Sequence, residues 1–119
     1  MESSSVPAVS IAPAGTYKYV LLRLNAGATR RVIVRGGLRP SGGDGFHIDI
    51  VEDTVAELKR AGLSASVECL GGGRIRREAS SILLYGYSVA FGRADHEEAA
   101  RLVRAAFPSC AVSTSNEGY

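Results

Sequence analysis

The chain has few of the residues and segments that mark several large protein classes. Its 119 residues include no tryptophan and one methionine, and no apolar run is long enough to form a membrane-spanning helix. Residues 1–5 carry neither the basic region nor the apolar core of a secretory signal. We therefore expect a cytoplasmic protein that does not associate with a membrane.

Potential metal ligands are also scarce. The two cysteines, Cys69 and Cys110, lie in strand-like segments, and neither they nor the two histidines show the spacing of metal-ligand pairs. Reduced, buried thiols are the expected state of both cysteines. We expect no metal and no other cofactor.

The charge is too small for a dedicated nucleic-acid-binding protein. The formal net charge is +2, so we expect no nucleic-acid partner. Arginine far outnumbers lysine, which suits forked contacts to phosphate or carboxylate but also follows from genomic base composition alone.

The length fits one compact domain. With 45% hydrophobic and 22% charged residues, the chain has material for one ordinary core. Residues 1–14, rich in Ser, Ala and Pro, are predicted to form a disordered tail. Residues 15–119 are predicted to form a single domain, and we expect a monomer.

The first half contains two strand patterns and a helix pattern. Residues 17–24 and 31–35 are β-prone, and residues 36–45 are too rich in glycine for regular structure. From about His47, apolar residues recur at three- and four-residue spacing until Gly62, which predicts an amphipathic helix. Asp44 is the expected cap of this helix.

The second half repeats this pattern. Residues 64–70, 81–91 and 110–114 are predicted strands, and Asp95 with Glu98 predicts a capped helix that ends before Pro108. Strand, helix and strand thus occur twice, over residues 31–70 and 81–114. We predict an α/β fold with a mixed sheet of about six strands flanked by two helices, in two similar βαβ-like halves.

His47 is the first candidate functional residue, because it stands where a helix begins. Unpaired amides and the helix dipole make a helix start an anion site, and imidazole can transfer protons near neutral pH. The alternative is a histidine that only caps or packs the helix end.

Other polar residues also have two interpretations. The glycines at 71–73 suit a hairpin turn or a close approach of backbone better than a phosphate loop, since the P-loop ending is absent. Arg74 belongs to a basic cluster with the arginines at 76 and 77, which either lies on a solvated strand edge or contacts a ligand. Lys18 is an edge charge or a cation directed at an anionic substrate. His96 has acidic neighbours that favour its charged form, in a solvent-exposed capping turn with a structural role.

Two common hydrolase motifs are missing. The cysteine-based phosphatase loop needs an arginine six residues after the cysteine, but Ile75 and Asn116 occupy those positions. The segment 86–90 lacks the second glycine of a nucleophile elbow and lies inside a strand pattern.

Several short motifs together resemble the Janus/Ocnus phosphohistidine phosphatase family. They are YKYVL at residues 17–21, IVRG at 33–36, FHIDI at 46–50, ECLGGGRI at 68–75, YGYSVAFG at 85–92 and NEGY at 116–119. They occur in that family's order and span about residues 17–119.

The resemblance implies a metal-independent phosphatase that hydrolyses the P–N bond of phosphohistidine-containing proteins or peptides, on a six-stranded mixed sheet between two helices. His47 aligns with the catalytic histidine of the family, as general base or nucleophile. The remaining implied contacts come from short motif matches. The backbone at Phe46 and His47, the Ser88 hydroxyl and the Ala90 amide would hold phosphate, and Lys18, Arg35 and Arg74 would supply positive charge.

The chain departs from the family pattern at two places. Phe46 stands where tyrosine is expected, so a hydroxyl at this position is dispensable if the chain is active. The connection after the first predicted strand is short, which leaves fewer contacts for a protein substrate. A non-catalytic module that binds phosphohistidine or phosphate without cleaving it is the alternative function.

Overall fold

The computed structural model describes residues 6–37 and 46–116. The strands are β1 (Val9–Ile11), β2 (Gly15–Ala26), β3 (Thr29–Gly36), β4 (Ser66–Arg77), β5 (Ser81–Tyr85) and β6 (Ala111–Thr114). The helices are α1 (His47–Arg60) and α2 (His96–Ala106). Within the described ranges, neither helix is long and apolar enough to cross a membrane.

The six strands form one mixed sheet in the order β1-β3-β2-β4-β5-β6. The four inner strands are antiparallel, and the edge strands β1 and β6 run parallel to their neighbours. The predicted α/β fold with two helices is therefore confirmed. The two halves are not equivalent in detail, because β5-α2-β6 joins adjacent strands whereas β2 separates β3 from β4.

Strand β2 lies at the centre and is buried on both faces. Successive side chains of a strand point to opposite faces, so Tyr19 and Leu21 pack on the α2 side while Val20 and Leu22 pack on the α1 side. All four are at most 1% exposed. This two-sided burial explains why the segment is apolar with only partial alternation.

Residues 6–14 belong to the fold, unlike the disordered tail predicted for residues 1–14. Strand β1 pairs with β3 through Val9 and Val34, and Ile11 joins the core on the α2 side. Val6 is 1% exposed and packs in the core on the α1 side. These few apolar residues are enough to order the segment, because the edge of β3 that faces away from β2 is available for pairing. Residues 1–5 lie outside the described part of the chain.

The two helices begin in different ways. In α2, the Asp95 carboxylate accepts the amides of Glu97 and Glu98 at 3.1 and 3.2 Å, as the sequence predicts. In α1, Phe46 is the N-cap residue, and its amide donates to the Asp49 carboxylate at 2.7 Å. The predicted cap, Asp44, lies outside the described residues.

The glycines at 71–73 do not form the predicted hairpin turn. They lie within β4, opposite residues 19–21 of β2, beside a β-bulge. A Cβ on Gly73 would collide with the Tyr85 carbonyl oxygen and lie 2.7 Å from His96 Cε1, and one on Gly71 would lie 2.7 Å from the Ala94 backbone. Of the two interpretations of these glycines, the close approach of neighbouring backbone is therefore confirmed.

The predicted strand 81–91 is too long. Strand β5 ends at Tyr85, and Gly86 has a positive φ of 73° that turns the chain away from the sheet. The segment Ser88 to Gly92 then forms a tight loop that precedes α2.

Replacing Gly73 by alanine tests this packing. We expect Gly73→Ala to lower the free energy of unfolding by about 3 kcal/mol, because the new methyl group overlaps backbone and cannot be relieved by rotamer changes. Gly27→Ala is the matched control, since Gly27 has a φ of 61° but nothing within 4 Å of its Cβ position. The control should lose only about 1–2 kcal/mol of backbone strain. Equal stability of the two variants in urea unfolding would contradict this account of the glycines.

Candidate functional site

A cavity of about 530 Å³ opens at the first turn of α1. It is lined by Lys18, Phe46, His47, Ile48, Ser88, Val89 and Ala90. Five of the seven residues that the sequence suggested for catalysis or phosphate binding are in this set. The sequence reasoning missed the side chains of Ile48 and Val89, since an isolated apolar residue carries no sequence signal for a site.

His47 is the first residue of α1 and is only 6% exposed. Its Nε2 lies 3.0 Å from the carbonyl oxygen of Gly73. Because a carbonyl only accepts, Nε2 donates this hydrogen bond and carries a proton, so Nδ1 is the nitrogen that has the lone pair whenever the ring is neutral. The imidazole is thus held in one tautomer and one orientation.

Gly72 brings His47 and Ser88 together. A Cβ at this position would lie 2.7 Å from His47 Cδ2 and 3.0 Å from Ser88 Cβ. Both side chains therefore pack over the same bare piece of β4 backbone, although they are far apart in sequence. Any larger residue at position 72 would push them apart.

The loop at Ser88 presents unused hydrogen-bond donors. Ser88 and Gly92 exchange backbone hydrogen bonds of 3.1 and 2.8 Å, and the Phe91 amide donates to Ser88 Oγ at 3.1 Å. Since Ser88 Oγ accepts this bond, its proton remains able to donate elsewhere. Within the described ranges, the amides of Val89 and Ala90 donate to no protein acceptor. The loop therefore offers a hydroxyl and two amides beside the cavity.

The start of α1 contributes a second group of donors. The first amides of a helix lack intrahelical acceptors and carry partial positive charge, and the Ile48 amide donates to no acceptor among the described residues. The backbone amide of Phe46 was expected to hold phosphate, but it already donates to the Asp49 carboxylate. Phe46 thus contributes its side chain to the cavity instead.

Lys18 and Arg74 lie side by side on the α1 face of the sheet. They are direct partners in the β2–β4 register, and Lys18 shares its face with Val20, two residues along the strand. Lys18 lines the cavity, whereas Arg74 flanks it from the neighbouring strand. The two cations make this side of the sheet favourable for an anion.

Arg35 does not contribute to this cavity. It is 5% exposed, and its Nε and Nη2 bind the Glu57 carboxylate at 2.9 and 3.0 Å. The guanidinium also donates to the carbonyl oxygens of Val34 and Pro7 at 2.9 and 2.8 Å. Its donors therefore tie β3 to α1 and to the N-terminal segment.

His96 is buried on the opposite face of the sheet, not exposed in a charged capping turn. It is 3% exposed, its Nε2 donates to the Gly86 carbonyl at 2.9 Å, and its Nδ1 accepts from the Tyr19 hydroxyl at 2.5 Å. Burial lowers the pKa of His96, and the opposing effects of Asp95 and Glu97 are smaller. Burial also raises the pKa of the Tyr19 hydroxyl, which keeps it a donor. The role of His96 is structural, as expected, but its form is neutral.

Metal coordination has no obvious donor set in the part of the chain that the structure describes. No three His, Cys, Asp or Glu side chains there are placed to share an ion. Cys69 and Cys110 are both free and half-buried.

Comparison with known proteins assigns the chain to a family. Residues 3–111 match the model of the Janus/Ocnus family. The chain is 38% identical to the sex-regulated protein janus-A of Drosophila yakuba and 36% identical to that of Drosophila melanogaster, with 98% of this chain and 84% of each relative covered. It is 33% identical to the 14 kDa phosphohistidine phosphatase of Sus scrofa, with 98% of this chain and 94% of the relative covered. This chain therefore belongs to the Janus/Ocnus family.

Proposed function

We propose that this protein is a metal-independent phosphohistidine phosphatase that hydrolyses the P–N bond of phosphohistidine and related phosphoramidates. The observation that carries the proposal is the cavity in which His47 meets the Ser88 hydroxyl, unused amides and Lys18. The name of the pig relative, with which this chain shares 33% identity over nearly its whole length, supports the same activity.

The phosphoryl group would bind at the bottom of this cavity. Amides of Ile48 and Ala90 and the hydroxyl of Ser88 donate to phosphoryl oxygens in this proposal, and Lys18 offsets their charge. Hydrogen bonds between neutral donors and an ionised acceptor are stronger than those between neutral groups. Fixed donors around the developing charge also need no reorganisation during the reaction.

His47 would act through Nδ1, because Nε2 is bound to the Gly73 carbonyl. In one route, the substrate ring is protonated on the nitrogen that does not carry the phosphoryl group. Nδ1 takes a proton from an attacking water, the new O–P bond forms, and the P–N bond breaks, so that the substrate ring leaves as neutral imidazole. General base assistance of this kind contributes about 10²- to 10⁴-fold in rate. In the other route, Nδ1 attacks phosphorus and forms a phosphorylated enzyme that water then hydrolyses.

Labelled phosphate trapped on His47 after an alkaline quench would identify the second route.

A phosphate-release assay with and without a chelator tests this proposal. The wild-type protein should release phosphate from a phosphohistidine peptide and from phosphoramidate at rates that the chelator does not change. His47→Gln should lose at least about 100-fold in kcat, because an amide can still donate to the Gly73 carbonyl but cannot accept a proton or attack phosphorus.

Circular dichroism and the unfolding midpoint of His47→Gln serve as the control for folding. Full activity in this variant would contradict the role of His47. Stable binding of the phosphopeptide by the wild-type protein without phosphate release would instead indicate the non-catalytic binding module.

Lys18 and Arg35 provide a matched pair of cations with opposite expected effects. Lys18→Met should raise KM for phosphoramidate about tenfold, because a charge-assisted contact to the phosphoryl group is lost. Arg35→Met should leave KM unchanged and lower the unfolding free energy by about 2–4 kcal/mol, because Glu57 loses its partner. Steady-state kinetics and urea unfolding of both variants check the pair. A raised KM in Arg35→Met with normal stability would show that Arg35 binds the substrate after all.

A further inference from the structure

Three exposed apolar side chains surround the mouth of the cavity. Phe46 is 73% exposed, Val89 83% and Ile48 44%, and all three line the cavity that contains His47. We call these three residues the apolar rim. Single exposed apolar residues are ordinary, but a contiguous group at a concave site marks a binding surface.

Two of these residues are poor choices for local folding. Phe46 occupies the N-cap of α1, where Ser, Thr, Asp and Asn are preferred, and its side chain forms no capping hydrogen bond. Val89 is a β-branched residue in a tight loop, where Gly, Asn, Asp and Ser dominate. Neither is buried in the core, so neither contributes to packing. A role outside folding explains both.

The size of the cavity indicates a ligand larger than a phosphoryl group. Its volume of about 530 Å³ lies within the range of about 300–1,000 Å³ typical of sites for whole small molecules. A phosphoryl group held by Ser88 and Lys18 leaves the apolar rim uncovered. A polypeptide that continues beyond the phosphorylated residue would cover it.

The apolar rim also has no charged group that could bind a charged residue next to phosphohistidine in a substrate. Lys18 is the one charged side chain among the described residues that line the cavity, and the proposed function assigns it to the phosphoryl group. A charged side chain seated on the three rim residues would thus lose hydration without gaining a partner from them. An apolar neighbour would gain from burial against all three rim residues.

We propose that the apolar rim binds an apolar side chain adjacent to phosphohistidine, so that the preferred substrates are polypeptides with Leu-like residues beside the phosphorylated site. This inference rests on the proposed function, since it assumes that the phosphoryl group occupies the cavity. The rim then determines specificity, while His47, Ser88 and Lys18 act on the phosphoryl group itself.

Binding of two matched peptides tests the inference without turnover. Both carry a non-hydrolysable phosphoryltriazole in place of phosphohistidine, and they differ only in having Leu or Ser on either side of it. By calorimetry, the wild-type protein should bind the Leu peptide about tenfold more tightly or better, because a buried leucine side chain is worth about 1.5–3 kcal/mol. Equal affinity for the two peptides would overturn the inference.

Variants locate the preference. Phe46→Ser and Val89→Ser should each reduce the ratio of the two affinities at least about threefold, as part of the apolar contact is lost. Phe46→Ser places a preferred N-cap residue at the start of α1, so loss of the helix cannot explain the result. Val55→Ser is the control, because Val55 is 38% exposed on the same helix but does not line the cavity. A ratio unchanged in Phe46→Ser and Val89→Ser would place the preference elsewhere and overturn the inference.

Two further outcomes separate the competing explanations. Failure of the wild-type protein to hydrolyse the corresponding phosphohistidine peptides, together with a normal Leu preference, would contradict the proposed catalysis and support the rim. A dimer detected by sedimentation in the wild-type protein and lost in Phe46→Ser would show that a second copy of the chain covers the rim, which would overturn the inference.

Discussion

The approach of two histidines to the same bare stretch of β4 backbone determines the rest of the structure. His47 donates to the Gly73 carbonyl from the α1 side, and His96 packs against Gly73 from the α2 side. Both contacts require that residues 72 and 73 lack a side chain. The backbone of β4 at Gly72 and Gly73 is thus the surface against which the side chains of the candidate site pack.

This contact couples the core to the cavity. His96 donates to the Gly86 carbonyl, which lies at the start of the segment that leads to the Ser88 loop, while Tyr19 holds the other ring nitrogen. The position of the Ser88 loop thus depends on a neutral, buried imidazole on the far side of the sheet. Each helix begins with a histidine, and His47, on the α1 side, faces a cavity that is also lined by a lysine and unused amides.

Periodicity predicted the elements well and could not predict contacts between distant residues. The three- and four-residue spacing after His47 and the capping residues at Asp95 fixed both helices, since these signals are local. Strand β1 was missed because three residues show no clear period. The ion pair of Arg35 was not predicted because its partner, Glu57, lies 22 residues further along the chain.

The candidate site shows the same limit. The helix start suggested His47 and the family resemblance suggested Ser88, but their meeting over Gly72 depends on the hydrogen bonds that join Gly72 to Gly92 and Ala94, which no local pattern specifies. The rim residue Val89 was missed because its importance comes from exposure at a shared cavity mouth. The sequence could thus suggest the residues with reactive or hydrogen-bonding side chains, whereas the apolar residues around them could be identified only from the structure.

Titration of the protein with inorganic phosphate, followed by amide and imidazole NMR signals, tests the central claim most directly. The account predicts saturable shifts confined to the start of α1, to residues 88–90 and to the ring of His47. Shifts that instead cluster around the arginines at 76 and 77, or no saturable shift at the cavity, would contradict it.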